Sequence, residues 1–245
     1  MFRKRQPRKV VFFVLKMFHF KRYIDKNKNM KVEVNVPSEL SEITLGQYQK
    51  FVKLYEGEVT EEFMALKMLE IFCGVRLKDA YQMRYKDIDG VVEVISSMLN
   101  QKPQLVQRFK MGGVEYGFIP NLDDMSFGEY IDLDTYLPKW DEIHRAMAVL
   151  YRPIKEKHGN KYNIVDYEVV DSEHYKSMPM DAVISSILFF YRLGSDLSKA
   201  MMNYLEESKE SRLVQYLSSE KNGVGISQYT HLLKEILDDL NISPN

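Results

Sequence analysis

Apolar positions recur with two different periods along this chain, and the switches between them mark out its elements. Between Lys31 and Val36, Val32, Val34 and Val36 alternate with polar residues, which predicts a short half-buried strand ended by Pro37. The spacing then lengthens to three and four. Thr44-Leu-Gly-Gln47 has the form of a capping box, in which the hydroxyl accepts from the third helical amide and the Gln side chain reaches back. The helix it opens would bury Leu45, Tyr48, Phe51, Val52 and Tyr55. Thr60, with Glu61 and Glu62 in a favourable first turn, opens a second helix with the stripe Phe63, Leu66, Met68, Leu69 and Phe72. Gly74 suits its C-terminal turn. A third helix is predicted over Asp87 to Leu99, with Ile88, Val91, Val92, Ile95 and Leu99 facing inward and Asn100 and Pro103 stopping it.

The period then falls to two. In "QLVQRFKMGGVEYGFIP", Gly112-Gly113 separates two runs of strand formers, and paired glycines supply the positive φ angles of a tight hairpin. Val114, Tyr116 and Phe118 would share one face. Helical spacing resumes at Ser126-Phe-Gly-Glu129, a second capping box, with a helix starting at Phe127 and stopping at Leu137 because Pro138 follows. Trp140, Ile143, Met147 and Leu150 line a further helix ending before Pro153.

Lys155 to Lys161 reads as a polar link, and "YNIVDYEVV" as a strand or extended segment. "MPMDAVISSILFFYRLG" is apolar almost all round, the mark of a central buried helix. Gly194 would end it and Ser195 would cap the next, through "LSKAMMNYLEES". Arg212 to Leu217 adds a turn or two, "KNGVG" breaks the chain, and a last helix carries Tyr229, Leu232, Leu233, Ile236 and Leu240. The expected fold is α+β and mainly α-helical: a helical body with a β-hairpin and a short N-terminal strand. Residues 30–245 form one domain behind a basic arm, residues 1–29.

Charge sharpens that boundary. The net charge of −1 hides an arm with ten of the 34 Lys and Arg and one of the 35 Asp and Glu, a net of +9. The body is correspondingly acidic. Arg3, Lys4, Arg5, Arg8 and Lys9 could neutralise phosphates of a nucleic acid. Phe12, Phe13, Phe18 and Phe20 would suit a membrane interface. Alternatively, the segment is an upstream extension of the reading frame, since Met30 opens "MKVEVNVPSEL" like a natural start, or a tail that orders on a partner. The apolar run Val10 to Leu15 is broken by Lys16, too short for a span and without a small-residue cleavage site, so membrane association is not expected. Sixteen tyrosines suit partly exposed contacts, where a ring packs while its hydroxyl stays wet. Tyr130, Tyr136 and Tyr151 are the candidate interaction surface. The lone cysteine, Cys73, sits in an apolar run and reads as an inert thiol.

Seven carboxylates crowd Asn121 to Ile154: Asp123, Asp124, Glu129, Asp132, Asp134, Asp141 and Glu142. An EF-hand starting at Asp123 puts Met125 and Phe127 where oxygens are needed, and one starting at Asp132 puts Leu137 in place of Gly. Asp141-x-x-His144 and Asp171-x-x-His174 have the spacing of a dimetal bundle but carry Asp where that pattern has Glu. No phosphate-binding glycine loop, G-x-S-x-G or H-E-x-x-H occurs. The carboxylates read best as helix caps and solvated faces, with Asp132 and Asp134 dispensable. No catalytic, metal or cofactor residue is expected. A metal-dependent enzyme such as a nuclease, using Asp123, Asp124, Glu129 or Asp141, is the alternative from another class.

"FIPNLDDMSFGEYIDLDTYLPKWDEIHRAMAVLYRPI", Phe118 to Ile154, resembles a segment of uncharacterised virion or morphogenesis proteins of tailed bacteriophages, including crAss-like phages. "MPMDAVISSILFFYRLG" fits the same pattern, and the resemblance extends over Thr44 to Leu205. It implies a non-enzymatic structural or assembly protein at the portal–tail (head–tail connector or tail) region. Such a protein would work through other phage structural proteins, as an oligomeric ring or hetero-complex, in the virion and in the host bacterial cytoplasm during assembly. A tail assembly chaperone and a packaged internal protein touching DNA through the arm are the alternatives.

Overall fold

A computed structural model of the chain describes residues 34–56, 59–159, 161–168, 171–207 and 224–239. Among these residues lie eight α-helices and one four-stranded antiparallel sheet, so the fold is α+β and mainly helical. The helices are α1 Leu45–Val52, α2 Glu61–Cys73, α3 Leu77–Ala80, α4 Tyr85–Leu99, α5 Phe127–Tyr136, α6 Ile143–Leu150, α7 Met180–Glu207 and α8 Val224–Asp239. The strands are β1 Arg108–Met111, β2 Val114–Phe118, β3 Tyr151–His158 and β4 Lys161–Ile164, paired in chain order.

Local chemistry sets most of the boundaries. Both capping boxes form: Thr44 with Gln47 at α1, Ser126 with Glu129 at α5. Thr60 caps α2 without the reciprocal bond, and Gly74 closes it in the left-handed region at φ 68°. The β1–β2 turn is Gly112-Gly113, at φ 59° and 81°, the mirror-image turn that follows strand twist. Cys73 is half-buried, and burial pushes its thiol up to about 11, so it stays protonated near neutrality.

Three expectations give way to tertiary packing. Val34 and Val36 pack partly buried against the core, but they pair with no strand among the described residues; Lys31 to Glu33 lie outside those residues. Their alternation is satisfied by helices rather than by a sheet edge. The link Lys155–Lys161 is not a loop: β3 runs to His158, Gly159 turns at φ 63°, and β4 starts at Lys161. A pairing irregularity between Ile154 and Glu156 and the exposure of both faces erase the alternation that would have marked this hairpin. α6 does end before Pro153: it stops at Leu150, and Tyr151 begins β3.

Lastly, α7 runs unbroken through Gly194 and Ser195. A Cβ on Gly194 would lie 2.7 Å from Thr230 Oγ1 of α8. The glycine therefore permits close approach of two helices instead of ending one. The basic arm, Arg212 to Leu217, Leu240 and the start of "KNGVG" fall outside the described residues, as do the side chains of Tyr55, Tyr229 and Leu232.

The core is organised around α7 and the sheet. Met178, Met180, Ala182, Val183, Ile184 and Ile187 are inaccessible, as the all-round apolar pattern requires. Leu45 N–H donates to Met178 O (2.9 Å) and Met180 N–H to Ile43 O (2.8 Å), locking the entry of α7 to that of α1. Tyr151 lies at the crossing of sheet and helix. Its hydroxyl donates to Val106 O at 2.7 Å, with Ser186 Oγ 2.9 Å away, while Tyr175 donates to the Tyr151 carbonyl at 2.7 Å. Ser185 Oγ accepts from Val106 N–H at 3.1 Å. Burial raises the Tyr151 pKa well above that of a free tyrosine.

Close approach also fixes the sheet. The ring of Tyr162 lies over Gly117, where an added Cβ would meet Cε2 at 2.4 Å, and its hydroxyl donates to Phe118 O at 2.7 Å. Tyr151→Phe removes one hydroxyl, leaves the Val106 carbonyl short of its donor, and is expected to destabilise the protein by about 1–3 kcal/mol. Urea denaturation of the two proteins checks it; an unchanged midpoint would show that this hydroxyl network is not what joins sheet to helix.

Candidate functional site

The sharpest contrast between a fixed and an open surface occurs on α5. Its inner side is tied down three ways. Glu129 Oε2 accepts from Ser126 N–H at 2.6 Å, completing the cap, while Oε1 meets Arg152 Nη2 of β3 at 2.6 Å. Both residues are buried, at 5% and 9% exposure. Leu133 and the following Leu137 enter the core. Asp132 accepts from the Tyr167 hydroxyl, and the Arg152 guanidinium lies 5.8 Å from the Tyr167 ring centre.

The outer side is apolar and uncovered. Phe127, Tyr130 and Ile131 are 78%, 60% and 45% exposed. Their spacing of three and four puts them on one side of the helix. Gly128 lies beside them with open space around it. Residues 121–136 contain five carboxylates and no Lys, Arg or His. Arg152 neutralises Glu129, which leaves Asp123, Asp124, Asp132 and Asp134 on this segment. The helix thus carries an exposed apolar patch on an acidic segment.

Of the three tyrosines expected at an interaction surface, the structure exposes Tyr130, half-buries Tyr136 and fully buries Tyr151. Tyr151 belongs to the core: strand alternation turns its ring inward, where its hydroxyl finds the partners already described. The Tyr136 ring has the Arg145 guanidinium 5.2 Å and the Lys139 ammonium 5.8 Å from its centre, so two cations already occupy its surroundings. Phe127 and Ile131 were missed as contact residues. α5 carries apolar residues on two sides, and its sequence does not say which side meets the core. The arm residues Arg3, Lys4, Arg5, Arg8 and Lys9 lie outside the described residues.

The carboxylates do not act as one group. Asp123 and Asp124 sit in a single 3-10 turn, Leu122–Asp124, where Asn121 accepts from the Asp123 amide and donates to Asp124 Oδ2 at 2.8 Å. Asp141 lies 3.7 Å from Lys53 at the exposed surface, while Glu142 faces Lys139 and Arg145. Glu129 and Asp132 depart from the picture of plain caps and wet faces, one through its buried ion pair and the other through Tyr167. Asp132 therefore makes a tertiary hydrogen bond rather than only facing solvent. Among the described residues no three His, Cys, Asp or Glu side chains gather as a metal would require.

The two Asp-x-x-His spacings also separate. Asp171 Oδ1 accepts from Glu173 N–H at 3.0 Å, and the Asp171 carbonyl lies 3.1 Å from His174 Nδ1, a local turn. His144 is 4% exposed, with Nε2 3.3 Å from Glu173 Oε1 and Nδ1 buried without a partner. Desolvation lowers its pKa, with Lys176 and Arg145 adding to the effect; Glu173 and Glu142 oppose it.

Comparison of the chain with protein-family models, curated proteins and solved structures finds no match.

Two outcomes test this geometry. Arg152→Met strands the Glu129 carboxylate and is expected to cost about 3–5 kcal/mol, whereas adding Glu129→Gln should restore part of the loss. Chemical denaturation of the single and double variants measures both. For His144 the sign follows from its lowered pKa: below about pH 6.5 the unfolded chain binds a proton that the folded chain resists. Stability should therefore fall as pH drops from 7.5 to 5.5, and His144→Gln should flatten that slope. A slope unchanged by the substitution would assign the pH dependence to other groups.

Proposed function

We propose that this protein is a non-enzymatic structural or assembly subunit of a tailed bacteriophage, acting through protein–protein contacts at the portal–tail region. The observation that carries the reading is the outward face of α5: Phe127, Tyr130 and Ile131, exposed together on a helix whose opposite side is anchored by Glu129, Leu133 and Leu137. Large apolar side chains on a rigid helix lose little conformational freedom when a partner covers them, which makes them efficient anchors. The face lies inside Phe118–Ile154, the segment that resembles phage morphogenesis proteins, so the contact surface and the resemblance fall on the same residues.

On this reading the partners are other phage structural proteins, in a ring or hetero-complex, assembled in the host cytoplasm and carried in the virion. Among the described residues no helix is long and apolar enough to cross a membrane.

Two measurements test the proposal. Mass spectrometry of purified particles should detect the protein; its absence from particles would move the reading to a transient assembly chaperone. Replacing Phe127, Tyr130 and Ile131 together by Ser should leave the thermal midpoint within a few degrees of the parent, since the side chains are exposed. Incorporation into particles should fall by at least about tenfold, the factor corresponding to 1.4 kcal/mol. Full incorporation of the folded triple variant would remove α5 as the contact surface.

A further inference from the structure

We propose that the acidic, apolar face of α5 is the docking site for the chain's own basic segment, residues 1–29, within the same molecule. The proposal rests on the reading of this face as a protein-contact surface and names what covers it in the free protein.

The two surfaces are complementary in charge and in apolar character. Residues 1–29 carry a net charge of +9 and five phenylalanines, four of which, Phe12, Phe13, Phe18 and Phe20, are interleaved with Lys9, Lys16, Lys21 and Arg22. The segment at α5 supplies the opposite sign: Asp123, Asp124 and Asp134, with Asp132 held by Tyr167 on the inner side and no basic residue between Asn121 and Tyr136. Phe127, Tyr130 and Ile131 supply the apolar floor. Aromatic rings of the basic segment would cover that floor while its lysines and arginines meet the surrounding carboxylates. Neither contribution alone selects the site as well as both together.

Another open apolar area among the described residues is a less suitable site. It is a groove lined by Val36, Pro37, Val91 and Val94, and its rim carries Lys86 beside Asp87. The adjacent charges of opposite sign give a basic segment no preference there.

Chain length permits the docking. Thirty-three residues precede Val34, where the described chain begins. At about 3.3 Å per residue a segment of that length spans on the order of 100 Å, several times the radius of a domain of this size. Every face of the same molecule is therefore within reach. A tethered segment also acts at an effective concentration in the millimolar range, so contacts too weak to hold a free peptide suffice in cis.

Zero-length carbodiimide crosslinking of the full-length protein, read by peptide mass spectrometry, tests the proposal. Lys4, Lys9 or Lys16 should join Asp123, Asp124 or Asp134 in the monomeric fraction. Tyr130→Ser with Ile131→Ser should reduce those links by about tenfold, as should added salt at about 1 M, which shortens electrostatic range to about 3 Å. Links spread evenly over the acidic residues of the folded protein, or no links from these lysines, would overturn the proposal. Links confined to a dimeric fraction would overturn its intramolecular form and assign the segment to a second copy.

Particle incorporation of the same double variant separates the two readings. Lost incorporation of the variant, with none of these links in the parent protein, removes the arm as occupant and leaves the contact reading standing. Links with full incorporation of the variant keep the arm and remove α5 as the surface that meets phage partners.

Discussion

The structure turns on a buried tyrosine hydroxyl that must find partners. Tyr151 is fully inaccessible and sits where α6 passes directly into β3, so its ring cannot withdraw to solvent without unseating both elements. The hydroxyl finds the Val106 carbonyl ahead of β1 and Ser186 on α7, and the Tyr175 hydroxyl satisfies the Tyr151 carbonyl. A buried polar group left unmade costs more than its bond contributes when made. The network therefore selects one placement of sheet on helix among many that apolar packing alone would tolerate.

That constraint extends to α5. Arg152, the next residue of β3, carries a positive charge into a nearly inaccessible position, and Glu129 meets it from the capping box of α5. One carboxylate therefore ends a helix and fastens it to the sheet. The pair stands beside Tyr167 and Asp132, which join the segment after β4 to the same helix. With its inner side so held, α5 presents Phe127, Tyr130 and Ile131 without the freedom to fold them away. The exposed face follows from rigidity behind it. This is why the proposal of a contact surface rests on α5 rather than on the scattered exposed residues elsewhere, such as Tyr81 or Leu197.

The proposed self-contact would join an acidic helix with an apolar face to a basic segment rich in phenylalanine within one chain. A contact of that kind would shield the apolar face until a stronger partner displaces the segment. Screening weakens its ionic part and leaves its apolar part, so the two contributions respond differently to salt and to substitution.

Much of the fold was legible in the sequence because the determining interactions are local. Two capping boxes, the Gly112-Gly113 turn, the left-handed Gly74 and the all-round apolar run of α7 each depend on neighbours a few residues away. Where the decisive neighbour is distant, the same residues read differently. Gly194 looked like a helix end and proved to be the place where Thr230 approaches. The second hairpin hid because strands wet on both faces lose their alternation, and Val34 and Val36 found helices rather than a strand. At the candidate site, the cap of α5 and its start could be read directly. Which of its two apolar sides would stay outside could not, nor that Glu129 would meet Arg152, nor that Tyr151 would be buried while Tyr130 was not. By itself the sequence determined most helix starts and the Gly112-Gly113 turn, since those follow from short-range sterics and hydrogen bonding. Only the tertiary structure decided which surfaces face each other, because that depends on satisfying buried polar groups contributed from far along the chain.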